Sequence, residues 1–236
     1  MTAEPARSSS AGADEVREIV PVPGPLNAVV RPPGSKSVTN RALVAAALAR
    51  GTSNLVGTLD ADDTAAMLDC LRGLGIPVGD ASGDSDGALR VVGCGGRPPL
   101  DGAILDARLS GTTSRFIAPV AALARGTVVL DGADPLRRRP MAALFDALEA
   151  LGAGIEPLGE PGHLPVRITG SPRDVLGGSV EVTGNVSSQF LSALLLSGPC
   201  RADGLVLELT TELVSAPYVD LTIAVMEAFG ATVARP

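Results

Sequence analysis

Ala46-Ala47-Leu48-Ala49-Arg50-Gly51-Thr52 returns letter for letter as Ala121-Ala122-Leu123-Ala124-Arg125-Gly126-Thr127, and a looser third copy follows as Ser192-Ala193-Leu194-Leu195-Leu196-Ser197-Gly198. Each copy is rich in Ala and Leu, good helix formers, and is stopped by glycine. Upstream, each run opens from a polar turn: Gly34-Ser35-Lys36-Ser37, Ser110-Gly111-Thr112-Thr113-Ser114-Arg115 and Gly184-Asn185-Val186-Ser187-Ser188-Gln189. Three equivalent turns therefore open three equivalent helices.

The flanks repeat as well. Apolar segments at 27–30, 103–105 and 179–182 predict a strand before each turn, and those at 54–59, 127–130 and 205–209 a strand after each helix. Helical spacing predicts a second helix over 63–75, 140–152 and 217–230, each ending at glycine, with Pro140 and Pro217 suited to a first helical turn. The chain then extends at 76–78, 155–157 and 232–233, and closing strands are expected at 89–93 and 166–170. No closing strand follows in the third copy, because the sequence stops at Pro236, so the chain is expected to be cut inside its third unit. A unit of about 75 residues exceeds the roughly 20 to 50 residues of solenoid repeats and suits a small subdomain of helices on a sheet. The expected fold is α/β, built from three βαβαββ units with the third truncated, and three units arranged alike would bring their polar helix starts to one surface.

Composition limits the function. The 236 residues are 45% hydrophobic, enough for a substantial core, while residues 1–20 are read as a disordered tail ahead of a domain spanning 21–236. That opening has no apolar core and reads as neither a signal peptide nor an anchor, so a cytoplasmic protein without membrane association is expected. A formal net charge of −7 and 2% aromatic residues argue against a nucleic-acid binder. Cys70, Cys94 and Cys200 are odd in number and lack metal-ligand spacing, so they read as buried fillers, and no metal or other cofactor is expected. Asp60, Asp62 and Asp63 precede a helix and read as caps, and His163 reads as a surface residue of a hairpin turn.

The turns carry the chemistry. Gly34 lets backbone N–H groups approach a ligand, the helix start adds unpaired donors and a positive dipole end, and Lys36 and Arg41 add full charge. The GxxxxGK[ST] spacing of a nucleotide P-loop is absent, so the expected ligand is a smaller anion. The second turn repeats this logic with Gly111 and Arg115. Arg137-Arg138-Arg139 before a helix start, where cations are disfavoured, points to an anionic ligand gripped by guanidinium forks. Ser187, Ser188 and Gln189 by themselves suit an ordinary cap, and Tyr218, the only tyrosine, would ordinarily pack its ring.

Taken together, PGSKSVTNRAL (33–43), SGTTSR (110–115), RRRP (137–140), VSSQFLSALL (186–195) and LVSAPY (213–218) resemble, in order, the N-terminal half of the 5-enolpyruvylshikimate-3-phosphate synthase family. The resemblance implies transfer of the enolpyruvyl group of phosphoenolpyruvate to the 5-hydroxyl of shikimate 3-phosphate, in the route to chorismate and aromatic amino acids. It also implies two domains of three βαβαββ units closing on the substrates, and a monomer when complete. Residue by residue, it implies that Lys36 is catalytic and touches both substrates, and that Ser37 and Arg41 hold shikimate 3-phosphate. Gly111 and Arg139 would receive phosphoenolpyruvate, with a less defined role for Arg115. Ser187 and Ser188 would bind the shikimate phosphate, Gln189 would lie between the substrates, and Ser215 with Tyr218 would complete the pocket. The family's acid/base carboxylates lie in its second half, so this chain alone is expected to bind without turning over. Leu109-Ser110 and Phe116 depart from the family's usual Asn-Ala and Pro and bear on how phosphoenolpyruvate analogues such as glyphosate fit beside Gly111. The related UDP-N-acetylglucosamine enolpyruvyl transferases are the lesser match. They carry Lys-Asn where this chain has Lys36-Ser37, and a reactive loop cysteine that Cys94 does not replace.

Overall fold

The computed structural model describes residues 20–30, 32–81, 87–99, 102–170, 177–185 and 187–235. The expected tail, 1–20, lies outside them except for Val20. The chain falls into two units, Met1–Pro32 and Pro33–Pro236. In the first, residues 20–30 are exposed and carry no helix or strand, so the strand expected over 27–30 is absent. An extended segment becomes a strand only through ladder hydrogen bonds, and none of the described ladders includes it.

The second unit runs α1 (Lys36–Leu48), β1 (Thr52–Leu55), α2 (Asp62–Gly73), β2 (Val78–Asp80), β3 (Leu89–Val92), β4 (Ile104–Asp106), α3 (Gly111–Ala122), β5 (Thr127–Asp131), α4 (Asp134–Arg137), α5 (Ala142–Ala150), β6 (Gly154–Pro157), β7 (Val166–Thr169), β8 (Gly178–Val182), α6 (Ser188–Ser197), a 3-10 turn (Gly198–Cys200), β9 (Leu205–Leu209) and α7 (Ala216–Ala228). Three separate sheets result, ordered β1-β3-β2, β4-β5-β7-β6 and β8-β9. The first is antiparallel. The second joins β4 to β5 in parallel and the remaining strands antiparallel. The third is a parallel pair. Alternation places Val128 and Leu130 of β5, and Val166 and Ile168 of β7, in the core while Arg167 points away to Glu156.

The core is centred on α1, α3 and α6, which pack on one another. From Thr39 to Leu48 almost every α1 side chain is buried, so this helix is apolar nearly all round rather than striped. Helices α2, α5 and α7 pack around the three, and the sheets lie outside. A Cβ at Gly93, just after β3, would meet the Ala49 carbonyl oxygen at 2.2 Å, and one at Gly170, just after β7, would meet that of Ala124 at 1.8 Å. Glycine is required at both points because the chain leaving the sheet presses on the end of a core helix.

Several details differ from expectation. β1 is shorter and earlier than 54–59 because the chain turns at Gly57, whose φ is +70°. Pro140 is not in the first turn of a helix, since α5 starts at Ala142 with Met141 as its cap. The added helix α4 absorbs Arg137, which pairs with Asp131 at 2.7 Å and Asp134 at 3.3 Å, so this member of the triplet is engaged on the surface. The α2 start is held by Thr64, whose Oγ1 accepts from Ala61 N at 3.0 Å. The nearby aspartates do not cap it: Asp62 pairs with Arg108, and Asp63 reaches elsewhere. Residues 232–233 lie outside any strand. Cys70 is buried, but Cys94 and Cys200 are only half-buried.

Candidate active site

The helix starts converge. Ser35 caps α1, its Oγ accepting from Val38 N, and Ser110 and Ser187 do the same for α3 and α6 through Thr113 N and Gln189 N. Lys36, at the first position of α1, donates from Nζ to Asp63 Oδ2 of α2 at 2.7 Å. Thr113 Oγ1 of α3 donates to the Asp63 backbone carbonyl at 3.1 Å, and Gln189 Nε2 of α6 donates to Thr112 Oγ1 of α3 at 3.5 Å. Four helices thus present their electropositive ends to one region. Gly34 serves here mainly by lacking a side chain, since a Cβ would meet the Gly57 carbonyl oxygen at 2.3 Å.

Around that region stand two clusters. In the first, a Cβ on Gly111 would lie 2.7 Å from Arg139 Nη1 and 3.4 Å from Arg115 Nη1, so two guanidiniums flank the bare glycine. Arg115 donates to Gln189 Oε1, packs over the Phe190 ring at 5.3 Å, and leaves its buried Nε without a partner. Burial, then the nearby charge of Arg139, lowers its pKa. Two like charges around an opening at a helix start are balanced when an anion sits between them.

The second cluster surrounds Arg41. The residue is 2% exposed. Nε donates to Thr222 Oγ1 at 2.7 Å, Nη1 to the Ser37 carbonyl at 2.9 Å, and Nη2 to Ser192 Oγ at 3.2 Å and the Tyr218 carbonyl at 3.3 Å. The rings of Phe116 and Tyr218 lie 5.2 and 5.8 Å from its Cζ. Arg41 therefore ties the starts of α1 and α7 to α6, and most of its donors are already spent on neutral acceptors. Its charge has no carboxylate partner in this network, and burial lowers its pKa.

Of the remaining expected residues, Ser37 is half-buried and Ser188 buried, while Ser215 is exposed and caps α7 in the left-handed conformation at φ 59° without a side-chain capping bond. A non-glycine residue held there marks a constrained turn. Tyr218 does pack its ring, against Arg41, yet remains 49% exposed. Lys36 stays half-exposed and Arg139 exposed. The contacts join Lys36, Gly111, Arg115, Arg139 and Gln189 in one group and Ser37, Arg41 and Tyr218 in the other. Ser188 enters only through the adjoining Gln189, and Ser187 and Ser215 by their places at helix starts.

Sequence reading missed Asp63, Ser192 and Thr222. Ser192 and Thr222 lie four residues after Ser188 and Tyr218, on the same helix faces, and each interrupts an apolar run. A polar residue inside such a run was the available signal. Burial works to raise the Asp63 carboxyl, but hydrogen bonds from Lys36 and Ser110 and the charges of Lys36 and Arg139 outweigh it and hold its pKa below the usual carboxylate range. Asp63 is therefore a carboxylate at neutral pH and serves as an anchor for Lys36, not as a proton donor. Because its folded-state pKa is depressed, its contribution to stability is present above the unfolded value of about 4 and fades as pH falls through the folded one. Urea unfolding should show the chain more stable than Asp63→Asn at pH 7, with the two converging as pH falls through the folded-state pKa of Asp63.

Among the described residues no group of three His, Cys, Asp or Glu side chains gathers as a metal site, and no helix is long and apolar enough to cross a membrane.

The profile of EPSP synthase (3-phosphoshikimate 1-carboxyvinyltransferase) matches residues 20–236. The chain belongs to the EPSP synthase family. It is similar to the 3-phosphoshikimate 1-carboxyvinyltransferase of Bordetella parapertussis, with 42% identity over 207 residues, 86% of this chain and 46% of that protein. The namesake of Halobacterium salinarum is 44% identical over 200 residues, 85% of this chain and 45% of its own. Among solved structures, EPSP synthase from Acinetobacter baumannii aligns with a TM-score of 0.62 and 30% identity, over 72% of this chain and 37% of the other. The chain spans about half the length of the curated relatives it matches.

Proposed function

We propose that residues 21–236 are the first of two substrate-binding walls of an EPSP synthase, and that the whole protein transfers the enolpyruvyl group of phosphoenolpyruvate to the 5-hydroxyl of shikimate 3-phosphate. The observation that carries this reading is the pair of guanidiniums, Arg115 and Arg139, held against the Cβ face of Gly111 at a helix start, with Arg115 bonded to Gln189 and Arg41 to Ser192 of the same helix, α6. Phosphoenolpyruvate lies against Gly111, Arg139 and Lys36. Shikimate 3-phosphate lies against Ser37, Ser187, Ser188, Ser215 and Tyr218. Arg41 orients Ser37 and supplies charge from below, and Gln189 faces both ligands.

The architecture is read as three βαβαββ units, the third incomplete. The stretch from β4 to β7 holds the whole succession with α4 as an addition, and the matched contacts of Gly93 and Gly170 support equivalence of the first two. The isolated chain binds without turnover. Addition to the enol ether needs a group that gives and takes a proton, and among the described residues the carboxylate of this cluster, Asp63, is kept below the usual carboxylate pKa by Lys36 and Ser110. Phosphate release from phosphoenolpyruvate and shikimate 3-phosphate tests both statements. The chain alone should release none, and the full-length protein should release phosphate with formation of the enolpyruvyl product. Turnover by residues 1–236 alone would overturn the division of labour, and a full-length protein inert on both substrates would overturn the activity.

Gly111→Ala offers a sharper check. The new methyl meets the far end of the Arg139 side chain, which can move, so the fold should persist with an unchanged melting temperature. Arg139 is displaced from its ligand, and KM for phosphoenolpyruvate should rise about tenfold or more while that for shikimate 3-phosphate changes little.

A further inference from the structure

A cavity of about 620 Å³ lies at the other end of α1, between its last turn, the 95–97 loop, the 3-10 turn and the end of α7. It is remote from the helix starts, because the thirteen residues from Lys36 to Leu48 span about 20 Å of helix. Arg50, Arg97 and Arg201 line it together with Leu48, Met226 and Phe229, and no acidic residue does so among the described residues. Arg201 is the decisive member. It is 5% exposed, and its Nε and Nη1 have no hydrogen-bond partner. Arg97 is anchored by donation from Nε to the Leu123 carbonyl at 3.4 Å, and Arg50 stands exposed at the rim.

A buried guanidinium whose Nε and Nη1 lack an acceptor is costly, so Arg201 needs a local reason. The neighbouring thiol does not supply the counter-charge. Burial pushes the Cys200 pKa up to about 12, so it is neutral under ordinary conditions. The carbonyls at the ends of α1 and α7 offer only partial negative charge. The volume is that of a small-molecule site, with one apolar flank and a few polar groups.

We propose that this cavity binds a small organic anion, its oxyanion head on Arg201 and its apolar body against Leu48, Met226 and Phe229. Phenyl phosphate and benzoate serve as probes for phosphate and carboxylate heads, with phenol as the uncharged control. At a hundred times its Kd, an accepted probe should raise the melting temperature of the chain by about 5 °C or more, saturably. Phenol should not. The shift should survive Arg139→Ala, which disarms the helix-start site, and vanish in Arg201→Met. Methyl NMR of the unaltered chain gives a second reading that does not depend on a variant folding: the signals of Leu48 and Met226 should move with the accepted probe. Acceptance of only one probe assigns the head group. Absence of shifts with both, perturbation confined to the surroundings of Gly111, or binding that persists in Arg201→Met would overturn the proposal.

Discussion

Arg139→Ala in the full-length protein is expected to lower kcat/KM for phosphoenolpyruvate by a factor of about a hundred or more, with the melting temperature unchanged. The effect is large because Arg139 is one of two guanidiniums beside the bare backbone of Gly111, and the fold is spared because its exposed side chain makes no hydrogen bond or ion pair among the described residues. Arg139 is exposed in this half of the site, so its charge reaches full strength only when an opposing wall excludes water. A charge-assisted hydrogen bond lost from such a closed site costs on the order of 3 kcal/mol, which is roughly a hundredfold in rate. Steady-state kinetics with each substrate varied in turn would measure it. Near-normal kinetics would remove Arg139 from the site, and an equal loss of melting temperature would make its role structural. Lys36→Met should cost a comparable factor but act on both substrates, since Lys36 stands where the starts of α1 and α2 meet.

Arg41→Ala should act on stability instead. Its side chain fills a buried space between the Phe116 and Tyr218 rings and bonds to Ser37, Ser192, Thr222 and Tyr218. Truncation leaves a cavity and strips the Ser37 carbonyl of this donor, while Thr222 and Ser192 keep their mutual bond at 2.8 Å and the Tyr218 carbonyl keeps Thr222 at 2.7 Å. Relief from burying an uncompensated charge offsets part of the loss, so a net cost of about 3 kcal/mol is expected rather than the larger value for a paired ion. For a body of this size that is a fall of about 10 °C in melting temperature. Arg41→Met fills most of the space without the hydrogen bonds and should recover roughly half. If Met is as damaging as Ala, the bonds dominate; if Met matches the native chain, the packing does. A native-like melting temperature for Arg41→Ala would contradict the tie described here.

The helix starts were legible because they are written in local chemistry. Helix-forming runs, polar turns and terminal glycines act over a few residues, and Ser35, Ser110 and Ser187 each cap the helix that its turn was expected to open. The cations singled out in those turns lie at or beside the converging helix starts for the same reason. Local chemistry misread Arg137 and Asp63, because their partners are chosen by geometry at a distance: α4 folds Arg137 back on Asp131, and α2 carries Asp63 to Lys36 across 27 positions of sequence.

By itself, then, the sequence determined most of the elements and the family, since propensity, capping and charge are properties of short segments. Only the tertiary structure decided that Arg41 is a buried tie more than an open grip, that Asp63 anchors Lys36, and that Arg201 lines a second cavity. Burial and partnership depend on which helices pack together, and a side chain's charge does not reveal whether it will meet water, a carbonyl or another arginine until that packing is made.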